Sequence, residues 1–160
     1  MNSVTRDVTL WGPAGAAVTI LDAATNGSVL TVNSGVDLTV DGLTLRNGQG
    51  IGSAPTAGGA IRALSPAAVT VRDAVLEASS ADQGGALYVG AGVLTLEGSS
   101  VAGSGRFGGG VLIRDATLIC DEETRIAGSA SSTGGGLYAD GATVTGCHVC
   151  LLYTSDAADE

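Results

Sequence analysis

Apolar and polar residues alternate along this chain in short runs that are separated by turn residues. Val8-Thr9-Leu10 and Leu38-Thr39-Val40 are two such runs. This alternation is typical of half-buried β-strands, in which one face meets a core and the other meets solvent. Turn signals such as Asn26-Gly27 interrupt the runs. The pattern therefore predicts an all-β chain of many short strands.

A Gly-Gly motif followed by Ala or Gly and then by an aliphatic residue occurs four times. The copies begin at Gly58, Gly84, Gly108 and Gly134, so they are 26, 24 and 26 residues apart. A fixed period in this range indicates a solenoid, in which each repeat forms one coil. The six-residue repeat of left-handed β-helices and the nonapeptide of the calcium-binding β-roll are missing from the sequence.

Inward apolar residues align in three columns, one for each strand of a coil. The columns are Leu30, Ile61, Leu87, Val111 and Leu137; Leu38, Val69, Leu94, Leu118 and Val144; and Leu45, Leu76, Val101 and Ile126. Leu10 and Ile20 fit the second and third strands of an earlier, incomplete coil. Stacked coils pair like strands at ~4.8 Å and bury a continuous aliphatic interior. The sequence therefore predicts a right-handed parallel β-helix of about five coils.

The junction between Leu45 and Ile61 is longer than its later counterparts, and the extra length falls in residues 47–57. Loops that depart from a rigid scaffold often carry function. We interpret this one as a tolerated insertion at the edge of the solenoid. A functional loop is the alternative.

The two ends of the chain differ from its middle. Residues 150–160, which begin with Cys150, resemble the translation of a transposase-type sequencing adapter and are left out of the fold prediction. Residues 1–149 are expected to be one β-helix fragment that is truncated at both ends. No N-terminal segment has the form of a signal peptide.

The composition narrows the classes of function. Glycine accounts for 26 residues and aromatic residues for 3% of the chain, a mixture that suits strands and tight turns. All seven basic residues are Arg and the net charge is −9, so we expect no nucleic-acid partner. No apolar run is long enough to span a bilayer, and we expect no membrane span in this fragment.

The Gly-Gly repeats, together with LTVDGLTL at 38–45, resemble the β-helix repeats of polymorphic outer-membrane proteins and of autotransporter passengers within the pectin-lyase-like superfamily. The resemblance covers roughly residues 4–146. It implies a secreted bacterial protein at the cell surface, associated with the outer membrane, that serves as an adhesin or passenger domain. The family's Phe-x-x-Asn element is replaced in this chain by residues 76–79, Leu-Glu-Ala-Ser.

The outward column of the first strand is the strongest candidate for a binding surface. It contains Thr31, Arg62, Tyr88, Leu112 and Tyr138. Arg62, Tyr88 and Tyr138 could stack on the apolar faces of sugars, which predicts a carbohydrate-contact face for a polysaccharide or a cell-surface ligand. The alternative is that Tyr serves there as a good strand former.

Two further columns are weaker candidates for a functional site. The outward column of the second strand contains Thr39, Thr70, Thr95, Ile119 and Thr145, and its Thr ladder suits a half-exposed strand. Asp41, Arg72, Glu97 and Asp121 form a corner column that could hold calcium if it were wholly acidic. Because Arg72 lies within that column, we predict an exposed charge ladder and no metal site.

Two cysteines lie in the predicted solenoid. Cys120 has an inward register and is expected to be a packed core thiol. Cys147 lies one residue past the equivalent position of the next coil, so we expect no disulfide between them, although an exported protein could form one. His148 stands at a spacing that fits no zinc signature.

The sequence indicates no catalytic residues and no cofactor in this segment. Lyases and hydrolases of this fold need converging acidic and basic groups, and Arg62, Arg114 and Arg125 have no matching acid cluster on their own sheet. The expected function is that of a structural and adhesive segment of an exported bacterial surface protein. The alternative is a polysaccharide lyase or hydrolase of the same fold whose active coils are missing from the fragment.

Overall fold

The described residues wind into a parallel β-solenoid of six coils. The computed structural model describes residues 3–50 and 55–149, which form strands and no helix. Each coil has three strands, and like strands of successive coils pair in parallel to build three six-stranded sheets. The predicted fold class is confirmed, and the described coils slightly exceed the predicted five.

The strands follow one another in groups of three, one group for each coil. They are β1 (Ser3–Val4), β2 (Val8–Trp11) and β3 (Ile20–Asp22); β4 (Leu30–Val32), β5 (Val36–Asp41) and β6 (Thr44–Arg46); β7 (Ile61–Ala63), β8 (Ala67–Arg72) and β9 (Val75–Gln83); β10 (Leu87–Val89), β11 (Gly92–Glu97) and β12 (Ser100–Phe107); β13 (Val111–Arg114), β14 (Ala116–Cys120) and β15 (Arg125–Thr133); and β16 (Leu137–Asp140), β17 (Thr143–Thr145) and β18 (His148–Val149).

The three predicted inward columns are confirmed by the strand register. Ile61 pairs with Leu30 and Leu87, Leu94 pairs with Val69 and Leu118, and the third column stacks in the same manner. Most of these side chains are fully buried in one continuous core. Because like aliphatic residues stack at each level, every coil covers the apolar face of its neighbours.

The first coil differs from its prediction at the third strand. Leu21, and not Ile20, pairs with Leu45 of the inward column. Ile20 pairs with Thr44 and is 41% exposed. The assignment of Ile20 to the core column was wrong by one residue, and such a shift moves a strand residue from one face to the other.

The Gly-Gly motif forms the corner between the third strand of one coil and the first strand of the next. Its first glycine has a positive φ, +59° at Gly84, which a residue with a side chain rarely adopts. A Cβ on the second glycine, Gly85, would collide with the carbonyl oxygens of Ser104 and Gly109. The motif therefore recurs because backbone packs directly on backbone at this corner.

The described parts of the long junction, residues 47–50 and 55–57, lie beside the third sheet. Gln49 bridges to Ser80 and Ala57 bridges to Gln83, so both described ends of the loop are tied to the next coil. Residues 51–54 of this loop lie outside the described residues, as does the adapter-like segment 150–160.

The expectation about the cysteines was wrong, because Cys120 and Cys147 form a disulfide with Cα atoms 4.8 Å apart. Cys147 does not belong to the column of Cys120. Since Val149 pairs with Ile126, Cys147 occupies the corner position that Thr124 fills one coil earlier. That corner position points inward, beside the end of the preceding coil's second strand.

Candidate functional site

The predicted register of Arg62, Tyr88 and Tyr138 is correct, but their side chains are only partly accessible to solvent. Arg62 pairs with Tyr88, and Leu112 lies between Tyr88 and Tyr138 in the same column. The three predicted contact residues are half-buried, whereas Leu112 is only 1% exposed. Leu112 is thus packed within the protein, and the side chains on either side of it in the column are only partly accessible.

Neighbouring aromatic side chains extend this surface. The Phe107 ring meets Tyr138 edge to face, with centroids 5.9 Å apart. Edge-to-face pairs at this distance are favourable. Among the described residues, the buried Nε of Arg62 has no hydrogen-bond partner. We call the ring pair formed by Phe107 and Tyr138 the Phe107 ridge.

Beyond Phe107 the third sheet carries an open cleft of about 630 Å³. Its floor is formed by small residues in the second halves of β9, β12 and β15. Ser80, Ser104 and Ser129 pair in register and form one row, and Gln49 extends this row through its bridge to Ser80. We call this site the serine cleft. Its residues were not singled out by the sequence analysis.

The floor of the serine cleft is small because of the glycine corner behind it. A Cβ on Gly59, Gly85 or Gly109 would collide with the backbone of the serine row or approach it too closely. The third strands therefore lie directly against the corner backbone. In addition, the residues of these strands that line the cleft are mainly Ser, Ala and Gly, whose side chains are small. A long depression therefore remains open to solvent along the coils.

A clasp between Thr56 and Asp82 forms one wall of the cleft. Asp82 Oδ2 accepts hydrogen bonds from the Thr56 backbone N–H at 2.9 Å and from its hydroxyl at 3.1 Å. The Asp82 backbone N–H donates to Thr56 Oγ1 at 3.0 Å. These bonds hold Thr56, near the C-terminal end of the long loop, against β9 and beside the cleft.

Arg106 lies on β12 beside Asp82 of β9 and is exposed to solvent. Its Cζ lies 5.3 Å from the Phe107 ring centroid, which is within cation–π range. Among the described residues it forms no ion pair. Arg46, Arg72 and Arg114, in contrast, each pair with a carboxylate. Arg106 therefore has free N–H donors at the edge of a cleft rich in hydroxyl groups.

The predicted charge ladder at the corner after the second strand is present. Arg72 lies between Asp41 and Glu97 in register, with an ion pair of 2.7 Å to Glu97 and a longer one of 3.7 Å to Asp41. The hydrogen bond that Arg72 donates to Glu97 is the main reason that the pKa of Arg72 is raised. In the described part of the chain, no group of three or more His, Cys, Asp or Glu residues could hold a metal ion.

One pairing on the first sheet was missed by the sequence analysis. Arg114 was expected to have no matching acid cluster on its sheet, and it pairs with a single carboxylate, that of Asp140, at 3.2 Å. The two residues face each other in the register of β13 and β16. Column alignment of the corner residues would have revealed this pair.

Asp121 holds the corner of the fifth coil and is not free for a ligand. Its carboxylate accepts hydrogen bonds from the Thr124 hydroxyl at 2.7 Å and from the Thr124 and Gly98 backbone N–H groups, both at 2.8 Å. These donors, the Thr124 hydroxyl first, hold the pKa of Asp121 below its ordinary value. The residue acts as a structural cap between two coils.

Comparison of the chain with models of protein families, with curated proteins and with solved structures gives no match. The resemblance to polymorphic outer-membrane proteins and autotransporter passengers thus stays a prediction. Within the described ranges, no helix has the length and apolar character needed to cross a membrane. The fold itself is established by the register of the three sheets.

Proposed function

We propose that this chain is a structural and adhesive segment of an exported bacterial surface protein. In this role the solenoid is a stiff shaft, and its side surfaces are presented to a host, a neighbouring cell or a matrix. The observation that carries the proposal is the Cys120–Cys147 disulfide. Disulfides form and persist mainly in oxidising environments such as the periplasm and the cell surface.

The construction of the coils supports the role of a stiff shaft. A single aliphatic core runs through the described coils, and ion pairs between successive coils flank it. Each coil contacts only its neighbours, so the length of such a protein can grow by added coils without a change in the cross-section. The serine cleft and the Phe107 ridge are the surfaces through which the shaft would contact a partner.

The compartment can be tested in cells that express the natural gene. We expect protease added to intact cells to degrade the chain, and Cys120 and Cys147 to resist alkylation until a reductant is added. A cytosolic protein of known location serves as the control for cell integrity. Protection from external protease together with immediate alkylation of both thiols would contradict export.

Adhesion can be tested with beads coated with the purified chain. We expect these beads to retain bacterial cells or matrix polysaccharide above the level of beads coated with an unrelated protein of similar negative charge. Equal retention by both kinds of bead would refute the adhesive role. Release of shortened oligosaccharides from the bound polymer would instead favour a lyase or hydrolase.

A further inference from the structure

The serine cleft presents a row of hydroxyl groups to the solvent. Within the described ranges, the hydroxyls of Ser80, Ser104 and Ser129 form no hydrogen bond with another protein group, and Ser104 and Ser129 are exposed. Because neighbouring parallel strands lie ~4.8 Å apart, the row from Gln49 to Ser129 extends about 14 Å along the solenoid axis. A ligand that fills the row must be extended and must offer polar groups at intervals.

The walls of the cleft add two further kinds of contact. Arg106 offers several N–H donors in a fixed fork, and the half-buried Phe107 beside it offers the part of its ring that remains exposed. Asp82 stands next to Arg106 but is held by Thr56. Among the described residues Asp82 forms no ion pair with Arg106, so the Arg106 N–H donors remain available to a ligand that carries oxygen acceptors.

Taken together, these groups match the chemistry of a linear glycan. Sugar rings carry hydroxyl groups in a regular series, and their apolar faces pack on aromatic rings. We propose that the serine cleft binds a linear polysaccharide that runs parallel to the solenoid axis, with its hydroxyls on the serine row and one sugar unit against Arg106 and Phe107. This proposal rests on the adhesive function and assigns its contact site to the third sheet.

The cleft differs from the surface expected from the sequence. Tyr88 and Tyr138 are half-buried, and the Tyr138 ring packs on Phe107, so less of their area is free for a sugar. The serine cleft lies on the other side of the Phe107 ridge and is open along its length. Contact with the ligand therefore depends on Ser104 and Arg106 more than on Tyr88.

The experiment uses the full chain and short linear oligosaccharides, neutral ones and uronic-acid-containing ones, as probes. Binding is measured by a glycan array and then by calorimetry. We expect Ser104→Val and Arg106→Gln each to weaken binding at least about tenfold, which corresponds to about 1.4 kcal/mol. The controls Arg125→Gln and Thr95→Val lie outside the cleft and should change the affinity less than about twofold.

The outcomes separate the proposal from the function on which it rests. Loss of binding in the cleft variants, with circular dichroism unchanged, supports the site for either class of sugar. A salt-dependent affinity would identify the acidic class through Arg106. If coated beads retain cells or matrix but no oligosaccharide binds, or if the cleft variants bind as the wild type does, the cleft proposal is overturned while adhesion stands. If nothing is retained, both fail.

Discussion

The disulfide between Cys120 and Cys147 joins the end of β14 to the inward corner of the next coil. The same two positions already touch two coils earlier, where the Ser99 hydroxyl donates to the Val71 carbonyl oxygen at 3.2 Å. Val71 and Cys120 share one column, and Ser99 and Cys147 share another. The bond therefore replaces a contact that the solenoid geometry provides in any case.

Removal of this disulfide should destabilise the solenoid. The bond closes a loop with a sequence separation of 27 residues, and loops of this size stabilise the folded state by about 3 kcal/mol. We expect Cys120→Ser with Cys147→Ser to lower the free energy of unfolding in urea by about this amount. The wild type in reductant should approach the double variant, and the double variant should not respond to reductant. A wild type that is equally stable with and without reductant would contradict the prediction.

The inward column should be far more sensitive to truncation than its outward neighbour. Leu94 is completely buried between Val69 and Leu118, so Leu94→Ala should cost about 3 kcal/mol of unfolding free energy. The matched control is Ile119→Ala on the adjacent strand, where the side chain is 43% exposed and the cost should stay within about 0.5 kcal/mol. Thermal or urea unfolding of the two variants measures the difference, and similar costs would argue against the register.

Two glycines allow steric crowding to be separated from backbone strain. Gly85→Ala places a methyl group against the carbonyl oxygens of Ser104 and Gly109 and should cost about 3 kcal/mol or more. Gly35 has a φ of +75° but open space around its Cβ position, so Gly35→Ala should cost only about 1 kcal/mol. Unfolding in urea measures both. A larger loss of stability for Gly35→Ala than for Gly85→Ala would show that the backbone at the Gly85 corner can shift to accept a methyl group.

The Asp121 cap should make stability depend on acid. Its folded-state pKa is lowered by the Thr124 hydroxyl and by backbone N–H groups. Its contribution is therefore complete above the unfolded-state pKa of about 3.9 and is lost as the pH falls through the lower folded-state pKa. We expect Asp121→Asn to be less stable than the wild type at neutral pH and to lose less stability between neutral pH and acid.

The exposed Glu122→Gln variant is the control for the loss of a negative charge at this corner. Urea unfolding across the acid range should give parallel curves for Glu122→Gln and the wild type. If Asp121→Asn also ran parallel to them, the carboxylate would have no role as a cap.

The coil architecture could be predicted from the sequence because its cause is local and repeated. Each coil must place an aliphatic residue at the same three inward positions, and each corner must carry Gly where backbone meets backbone. The spacing of the repeat alone therefore predicts that Leu94 and Leu118 are buried and that Gly85 lies at a corner. The register of Ile20 was predicted wrongly because Ile20 and Leu21 are adjacent aliphatic residues, and either could fill the inward position. The given sequence has no earlier copy of the repeat with which to align them.

The sequence by itself determined the period, the three columns and the corners. The tertiary structure decided how different columns meet. Cys147 reaches Cys120 because a corner residue points toward the strand end of the preceding coil, a relation that alignment within one column does not contain. Likewise, the serine cleft forms where Thr56 is hydrogen-bonded to Asp82 and where Arg106 packs on the Phe107 ring. Those contacts depend on the directions of side chains and on the path of one loop, which no repeat specifies.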